Sequence, residues 1–285
     1  MPQNKVIKVQ MFDKNIPIEL YSIEDATELF DFDYHYQYNF YQIFWFTEVE
    51  NSQQQIDFQS YPIKPQEIWI IYPGQVQFFN PTGIKGYYLA IDKDYFNRII
   101  HHQLKENTFK LPPPLHFHVS EDKVSLFTSL LNLVALEWNG QKRTEVLEKY
   151  LELSLIHIQD LERLSDAYSP KDTRVFQLLE MIEDNYTKER SNDFYAQKIA
   201  LSVKRMNEIL VNTTNATLSQ HLQYRLLLEA KRLIGYSDLN ISEISADLGF
   251  SEVNYFNRFF KKNTGFTPIE FRTNVKKVQV ELHLS

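Results

Sequence analysis

Two stretches of this chain, Asp193–Val211 and Ile241–Lys262, repeat one pattern at a spacing of about 50 residues. A repeat of this kind constrains folding strongly, because both copies must settle into the same supersecondary unit. Aligning Ala196 with Ser245 places Ala200 on Gly249. Past a one-residue difference in the turn, Met206 falls on Phe256, Asn207 on Asn257 and Leu210 on Phe260. Asn215 then falls on Gly265, Thr217 on Thr267 and Gln220 on Glu270. The second copy is the clearer. Ile241, Ile244 and Leu248 recur at three- and four-residue spacing, the apolar face of a short helix. Asn240 and Glu243 stand three apart at its start, a capping box. Gly249 supplies the positive φ of a tight interhelical turn. The next helix points Phe256, Phe259 and Phe260 inward and leaves Asn254, Asn257, Arg258, Lys261 and Lys262 outside. Gly265 ends it, and Thr267-Pro268-Ile269-Glu270 starts another, with Pro at the first helical position. Helix, tight turn and polar-faced helix together make the helix-turn-helix geometry that offers side chains to a DNA major groove.

Between the copies, Leu218 to Ile234 reads as one unbroken helix of about 17 residues, roughly 25 Å long. A rod of that length would hold two recognition helices near the ~34 Å that separates successive major-groove turns.

The rest of the chain has another character. From residue 1 to about 120 the pattern is that of strands. Tyr34 to Phe40 alternates aromatic and polar residues with period two, as a strand with one buried face does. Strand-like runs follow at Tyr41–Val49, Gln55–Phe58, Glu67–Tyr72, Gln75–Phe79 and Gly86–Ile91, parted by Pro, Gly and Asn turns. An antiparallel sandwich or barrel is predicted. Asp94–Leu104 is a brief helix, and Leu111-Pro112-Pro113-Pro114 is an extended connector. From Glu121 the period becomes 3.6, with one helix carrying Val124, Phe127, Leu130, Leu131, Val134 and Leu136 up to a break at Asn139-Gly140, and a second from Thr144 to about Leu164. Their apolar faces exceed what one contact surface needs, so packing against both the barrel and a twin chain is predicted. Ser169-Pro170-Lys171-Asp172 marks a domain boundary. The predicted division is 1–120, 121–168 and 169–285.

Charge divides along the same line. Residues 170–285 hold 16 Lys and Arg against 14 Asp and Glu, whereas residues 1–169 hold 14 against 23. The chain's net charge of −7 therefore belongs to its first part, and the repeat region permits nucleic-acid binding. There is no cysteine, hence neither a disulfide frame nor a thiolate metal site. MPQNKVIKVQ lacks a signal-peptide core, and no apolar run approaches the ~20 residues of a membrane span, so a cytoplasmic protein is predicted.

Taken in order, Ile-x-x-Ile, Gly-Phe-Ser, Tyr-Phe, Arg-x-Phe-Lys-Lys, Thr-Gly, Thr-Pro and Phe-Arg, with Arg225-Leu-Leu-Leu-Glu229-Ala230-Lys231 in the joining helix, resemble the AraC/XylS family of bacterial transcription regulators. The resemblance covers about 170–276. More loosely, the first part resembles the cupin-like barrel and paired dimerisation helices of full-length members. Two departures stand out: Ser245 where the family usually has Ala, and Glu208 where a basic residue is common. The resemblance implies a multi-domain protein: an all-β cupin-like barrel with paired helices, then an all-α domain with two helix-turn-helix units. It further implies double-stranded DNA as partner, a homodimer, a small effector in the barrel, contact with RNA polymerase, an activator's role and no cofactor.

Residue chemistry refines those implications. Asn207, Asn254 and Asn257 can each pair bidentately with adenine, and Arg258 with guanine. Val253 can touch a thymine methyl, Lys204 a base or a phosphate, and Lys261 and Lys262 backbone phosphates. Glu208 would repel phosphate or read cytosine N4. Tyr34, Tyr36, Tyr38 and Phe40 either line a ligand cavity in the barrel or fill it. Two alternatives stay open: a barrel that only dimerises, and a cupin-type enzyme with an attached DNA module. The second is weak on its residues. His35-Tyr36-Gln37 and Pro73-Gly74-Gln75-Val76-Gln77 put Gln where cupin enzymes carry His, and Gln is a poor transition-metal ligand. His116-Phe117-His118 lacks an identifiable third ligand, and His101-His102 reads as helix surface. No metal site and no catalytic residue is assigned.

Overall fold

The computed structural model describes residues 6–9, 16–26, 35–50, 52–103, 115–163, 174–214 and 216–282. It forms two compact units, 6–169 and 170–285. Tyr34, Asn215, the 111–114 connector and the 169–172 boundary lie outside the described residues.

The N-terminal unit runs β1 (Val6–Val9), β2 (Ile18–Ser22), α1 (Ile23–Ala26), β3 (His35–Tyr38), β4 (Tyr41–Val49), β5 (Gln53–Ile56), β6 (Gln59–Pro62) and β7 (Glu67–Ile71). It continues with β8 (Val76–Phe79), β9 (Ile84–Ile91), α2 (Lys93–Gln103), β10 (Leu115–His118), α3 (Glu121–Asn139) and α4 (Thr144–Arg163). The strands make two five-stranded sheets, ordered β1-β3-β8-β5-β6 and β10-β7-β4-β9-β2. This is the expected all-β, cupin-like layer pair with helices beside it.

The second sheet is buried on both faces, which explains why its strands do not alternate. In β4, Phe44 and Phe46 join Tyr36, Tyr38, Phe40, Trp69 and Tyr88 in a core between the sheets. Ile43 and Trp45 point the other way, into a core shared with Phe96 of α2, Phe127 and Leu131 of α3, and Leu147, Leu151 and Leu155 of α4. A strand buried on both faces reads as a continuous apolar run. The α3–α4 pair therefore packs on the sheet and shares its core. Its turn is held by Glu137, whose carboxylate takes Arg143 Nε at 3.1 Å, Arg143 Nη2 at 2.8 Å and the Arg143 backbone N–H at 2.8 Å. These bonds lower the Glu137 pKa. Leu133, Leu136, Leu153 and Ile156 remain exposed on the two helices.

The C-terminal unit comprises α5 (Arg174–Asn185), α6 (Asn192–Lys198), α7 (Val203–Thr214), α8 (Leu218–Tyr236), α9 (Ile241–Asp247), α10 (Val253–Thr264) and α11 (Pro268–Leu282). The connection α6–α7 is one residue shorter than α9–α10, as the alignment requires. Both turns adopt left-handed backbone at the aligned position: φ is 54° at Ala200 and 73° at Gly249. Helix α8 is the shared beam. Its Leu218 and Leu222 complete one core with Val175, Leu178, Tyr195, Met206 and Leu210. Its Leu226, Ala230 and Ile234 complete another with Ile244, Leu248, Phe256 and Phe260.

Candidate nucleic-acid interface

Each half of the C-terminal unit is a helix-turn-helix, α6–α7 and α9–α10, followed by a capped helix. The predicted capping box of Asn240 with Glu243 is present, and Thr217 forms another with Gln220. Thr267 and Glu270 bond in the same reciprocal way. The repeat extends to a feature not anticipated from sequence. Thr214 Oγ1 donates to Leu210 O at 2.8 Å, and Thr264 Oγ1 donates to Phe260 O at 2.9 Å. Each hydroxyl also accepts from the backbone N–H two residues on, fixing the exit of the recognition helix.

On α10 the outward side chains stand free. Asn254, Arg258, Lys261 and Lys262 are exposed, and Val253 and Asn257 half-buried. On α7, Lys204 is exposed and Met206 and Leu210 are core. Arg205 Nη1 lies 3.1 Å from Glu208 Oε2 one turn away, so this helix neutralises its own acidic residue.

Asn207 is held differently from its counterpart Asn257. Its Nδ2 donates to Val203 O at 3.1 Å, and its Oδ1 accepts the Leu218 N–H at 3.0 Å. Nδ2 thus turns back onto α7 and Oδ1 holds the start of α8, so both amide atoms that a bidentate adenine contact would use are engaged within the protein. The equivalent residue, Asn257, escapes this use for a covalent reason. Leu218 aligns with Pro268, which has no N–H to offer.

A second set of residues, missed from sequence, fixes the two halves to each other. Arg190, in the loop between α5 and α6, donates through Nη2 to Leu248 O and lays its guanidinium 4.4 Å over the Phe250 ring. A Cβ at Gly249 would sit 2.0 Å from Thr187 O, so that glycine serves close approach as well as backbone conformation. Gln223 of α8 donates to Asn263 of α10 at 2.7 Å. Arg225 pairs with Glu183 at 2.7 Å and Glu229 at 3.0 Å and lies 4.2 Å over Tyr186, tying α8 to α5. Arg272 donates to Ile234 O and Leu239 O, both at 2.8 Å. Only spatial contact reveals these roles, because the partners lie up to 58 residues apart.

In the N-terminal unit, Tyr36, Tyr38 and Phe40 come together, with ring centroids 5.9 and 5.1 Å apart in succession. His35 lies on the opposite face, 3.3 Å from Gln55 Oε1 and stacked near Phe78. His116 stacks on Trp69 at 4.9 Å, with Nδ1 4.0 Å from Glu67. Among the described residues no group of three His, Cys, Asp or Glu side chains gathers as a metal site would require. No described helix is long and apolar enough to cross a membrane.

Two stacked helix-turn-helix units on one beam, each with a polar outer helix, define a double-headed DNA-binding module. The sequence model of the family described as "Helix-turn-helix domain" matches residues 195–274. Proteins named HTH-type transcriptional activator RhaS, from Salmonella arizonae among others, are 23% identical over 160 residues, covering 56% of this chain and 58% of the relative. The chain thus spans little more than half the length of the curated relatives it matches. Among solved structures, the C-terminal domain of the response regulator yesN from Fusobacterium nucleatum is 25% identical, covering 35% of this chain and 99% of that one, with TM-score 0.34. ToxT from Vibrio cholerae, solved with an unsaturated fatty acid bound, is 14% identical, covering 90% and 94%, with TM-score 0.43. Residues 195–274 thus carry a domain of the helix-turn-helix family.

Proposed function

We propose that this protein is a sequence-specific transcription regulator that inserts α7 and α10 into successive major-groove turns of double-stranded DNA. The observation that carries the reading is the polar outer face of α10, mounted on an apolar core, where Asn254, Asn257 and Arg258 have no side-chain partner among the described residues. Arg258, Asn254 and Asn257 take the base-reading role, Val253 a thymine methyl, and Lys204, Lys261 and Lys262 the backbone phosphates. The N-terminal unit acts as sensor, its inter-sheet aromatic core around Tyr36, Tyr38 and Phe40 receiving a small effector. The exposed apolar row on α3 and α4 is the homodimer surface, since monomers seldom leave several large aliphatic side chains uncovered together. By extension from the relatives' printed names, the protein activates transcription, meeting RNA polymerase at the promoter, in the cytoplasm.

Selection of DNA from a random pool by the full chain tests this. Two short conserved blocks about 10–10.5 base pairs apart are expected. Enrichment without any shared sequence, or a single block, would contradict paired insertion.

A further inference from the structure

We propose that Arg190 is a positioning residue that sets the separation of the two recognition helices, and with it the operator spacing the protein accepts; this rests on the reading that both helices enter DNA. Helix α8 does not fix that separation alone. The first core grips it through Leu218 and Leu222, the second through Leu226, Ala230 and Ile234. One row of apolar side chains defines an axis but leaves each unit free to rock about it, as packed helices slide in shear motions. A contact that stops the rocking must lie off that axis. The loop 186–191, between α5 and α6, supplies it. Arg190 donates through Nη2 to Leu248 O at the C-cap of α9, and its guanidinium lies 4.4 Å over the Phe250 ring. Beside it, Thr187 O approaches Gly249 so closely that a Cβ there would lie 2.0 Å away.

Both ends of this clasp reach a recognition helix. Phe250 packs on Phe256 and Phe259 of α10, with ring centroids 5.2 and 5.3 Å away. On the other side, Glu189 O accepts the Tyr195 hydroxyl at 3.0 Å, and Tyr195 is buried in one core with Met206 and Leu210 of α7. The repeat shows that neither unit needs the clasp for its own fold. Leu239 aligns with Arg190 and Leu201 with Phe250, so the reciprocal loop and turn lack both partners. The clasp therefore serves the relation between the units, and its tolerance is narrow. Lengthening a site by one base pair asks the second helix to move ~3.4 Å along the duplex and to turn ~35° about it. A hydrogen bond does not survive that displacement, and a cation–ring contact is lost beyond about 6 Å. A site of altered spacing is bound only after the clasp opens.

The probe is the DNA site that the full chain selects from a random pool, remade with its two blocks one base pair closer and one base pair farther apart. The variants are Arg190→Met, which keeps an apolar stem over Phe250, and Arg190→Lys, which keeps the charge without the planar fork. The unaltered protein binds the selected spacing best. In Arg190→Met that preference narrows roughly tenfold, because a charge-assisted hydrogen bond and a cation–π contact no longer oppose the shift. Arg190→Lys falls between the two. Amide exchange in α6, α7, α9 and α10 checks that both units stay folded, and if Arg190→Met loses that protection, Arg190→Lys alone decides. An unchanged preference overturns the proposal. So does an equal loss of affinity at all three spacings, the mark of a merely structural contact, and so does an unaltered protein indifferent to spacing. In each of these cases paired insertion stands, because two blocks were recovered. Failure to recover two blocks overturns paired insertion, and this proposal with it.

Discussion

The two helix-turn-helix units share a plan and differ in how much of it is left free for DNA. In the first, an alanine sits in left-handed backbone, the recognition helix pairs Arg205 with Glu208, and Asn207 holds the next helix. In the second, a glycine takes the same backbone, and Asn254, Asn257 and Arg258 reach outward without partners among the described residues. Duplication therefore preserved the cores and caps while reassigning the outer face. On the proposed reading, the second unit discriminates between sequences and the first positions the protein.

The turn offers the largest test of that contrast. Gly249→Ala brings a Cβ against Thr187 O and strains a φ of 73°, so a loss of roughly 2–4 kcal/mol is expected. Ala200→Gly, at the aligned position, relieves left-handed strain and gains about 1 kcal/mol. Amide hydrogen exchange of α9 and α10 measures the first and that of α6 and α7 the second. Tryptophan emission, confined to the other unit, is the internal control. A loss at Gly249 no larger than the gain at Ala200 would show that backbone strain accounts for both and that the clasp around Thr187 and Arg190 contributes nothing specific.

Next in size is a pair of asparagines with opposite roles. Asn257→Ala is expected to lower operator affinity by roughly 1–3 kcal/mol and to relax discrimination at one base pair. Asn207→Ala removes an acceptor from the Leu218 N–H and is expected to cost about 1 kcal/mol of stability while leaving sequence preference intact. Binding measured against single-base operator variants separates the two. A narrowed difference between matched and mismatched DNA in the Asn207 variant would restore it as a base reader.

What sequence could and could not reveal follows from the range of each interaction. The capping boxes, Gly249, Gly265 and the apolar spacing of α9 and α10 are legible because each depends on residues within one or two turns. Asn207 looked like Asn257 because the difference lies in residue 218 against residue 268, eleven positions downstream and backbone-only. Gln42 reads as an ordinary polar strand residue, Gln54 falls outside the predicted run Gln55–Phe58 and Gln77 reads as a poor metal ligand, and only the two-sheet arrangement joins them in one hydrogen-bonded row. Strands β1, β2 and β6 escaped notice because runs of four or five residues carry little periodicity. Strand β4 read as a strand without revealing its second buried face, because burial on both sides erases the alternation that shows which face points inward.

The smallest expected effect concerns Ser245, one of the two residues that depart from the family pattern. Ser245 is 1% exposed and its hydroxyl has no partner, while Ala196 fills the equivalent place in the first unit at 2% exposure. The backbone around both is the same, with the residue's carbonyl accepting from Phe250 N at 3.0 Å and from Leu201 N at 2.9 Å. The hydroxyl therefore adds a desolvated polar atom and no bond. Ser245→Ala is expected to stabilise the second unit by about 1 kcal/mol, read as slower amide exchange in α9 and α10. Operator affinity should not change, since Ser245 faces the core and not the groove. A loss of stability would mean that the hydroxyl has a partner in solution, and that the first unit's alanine is the poorer solution of the two.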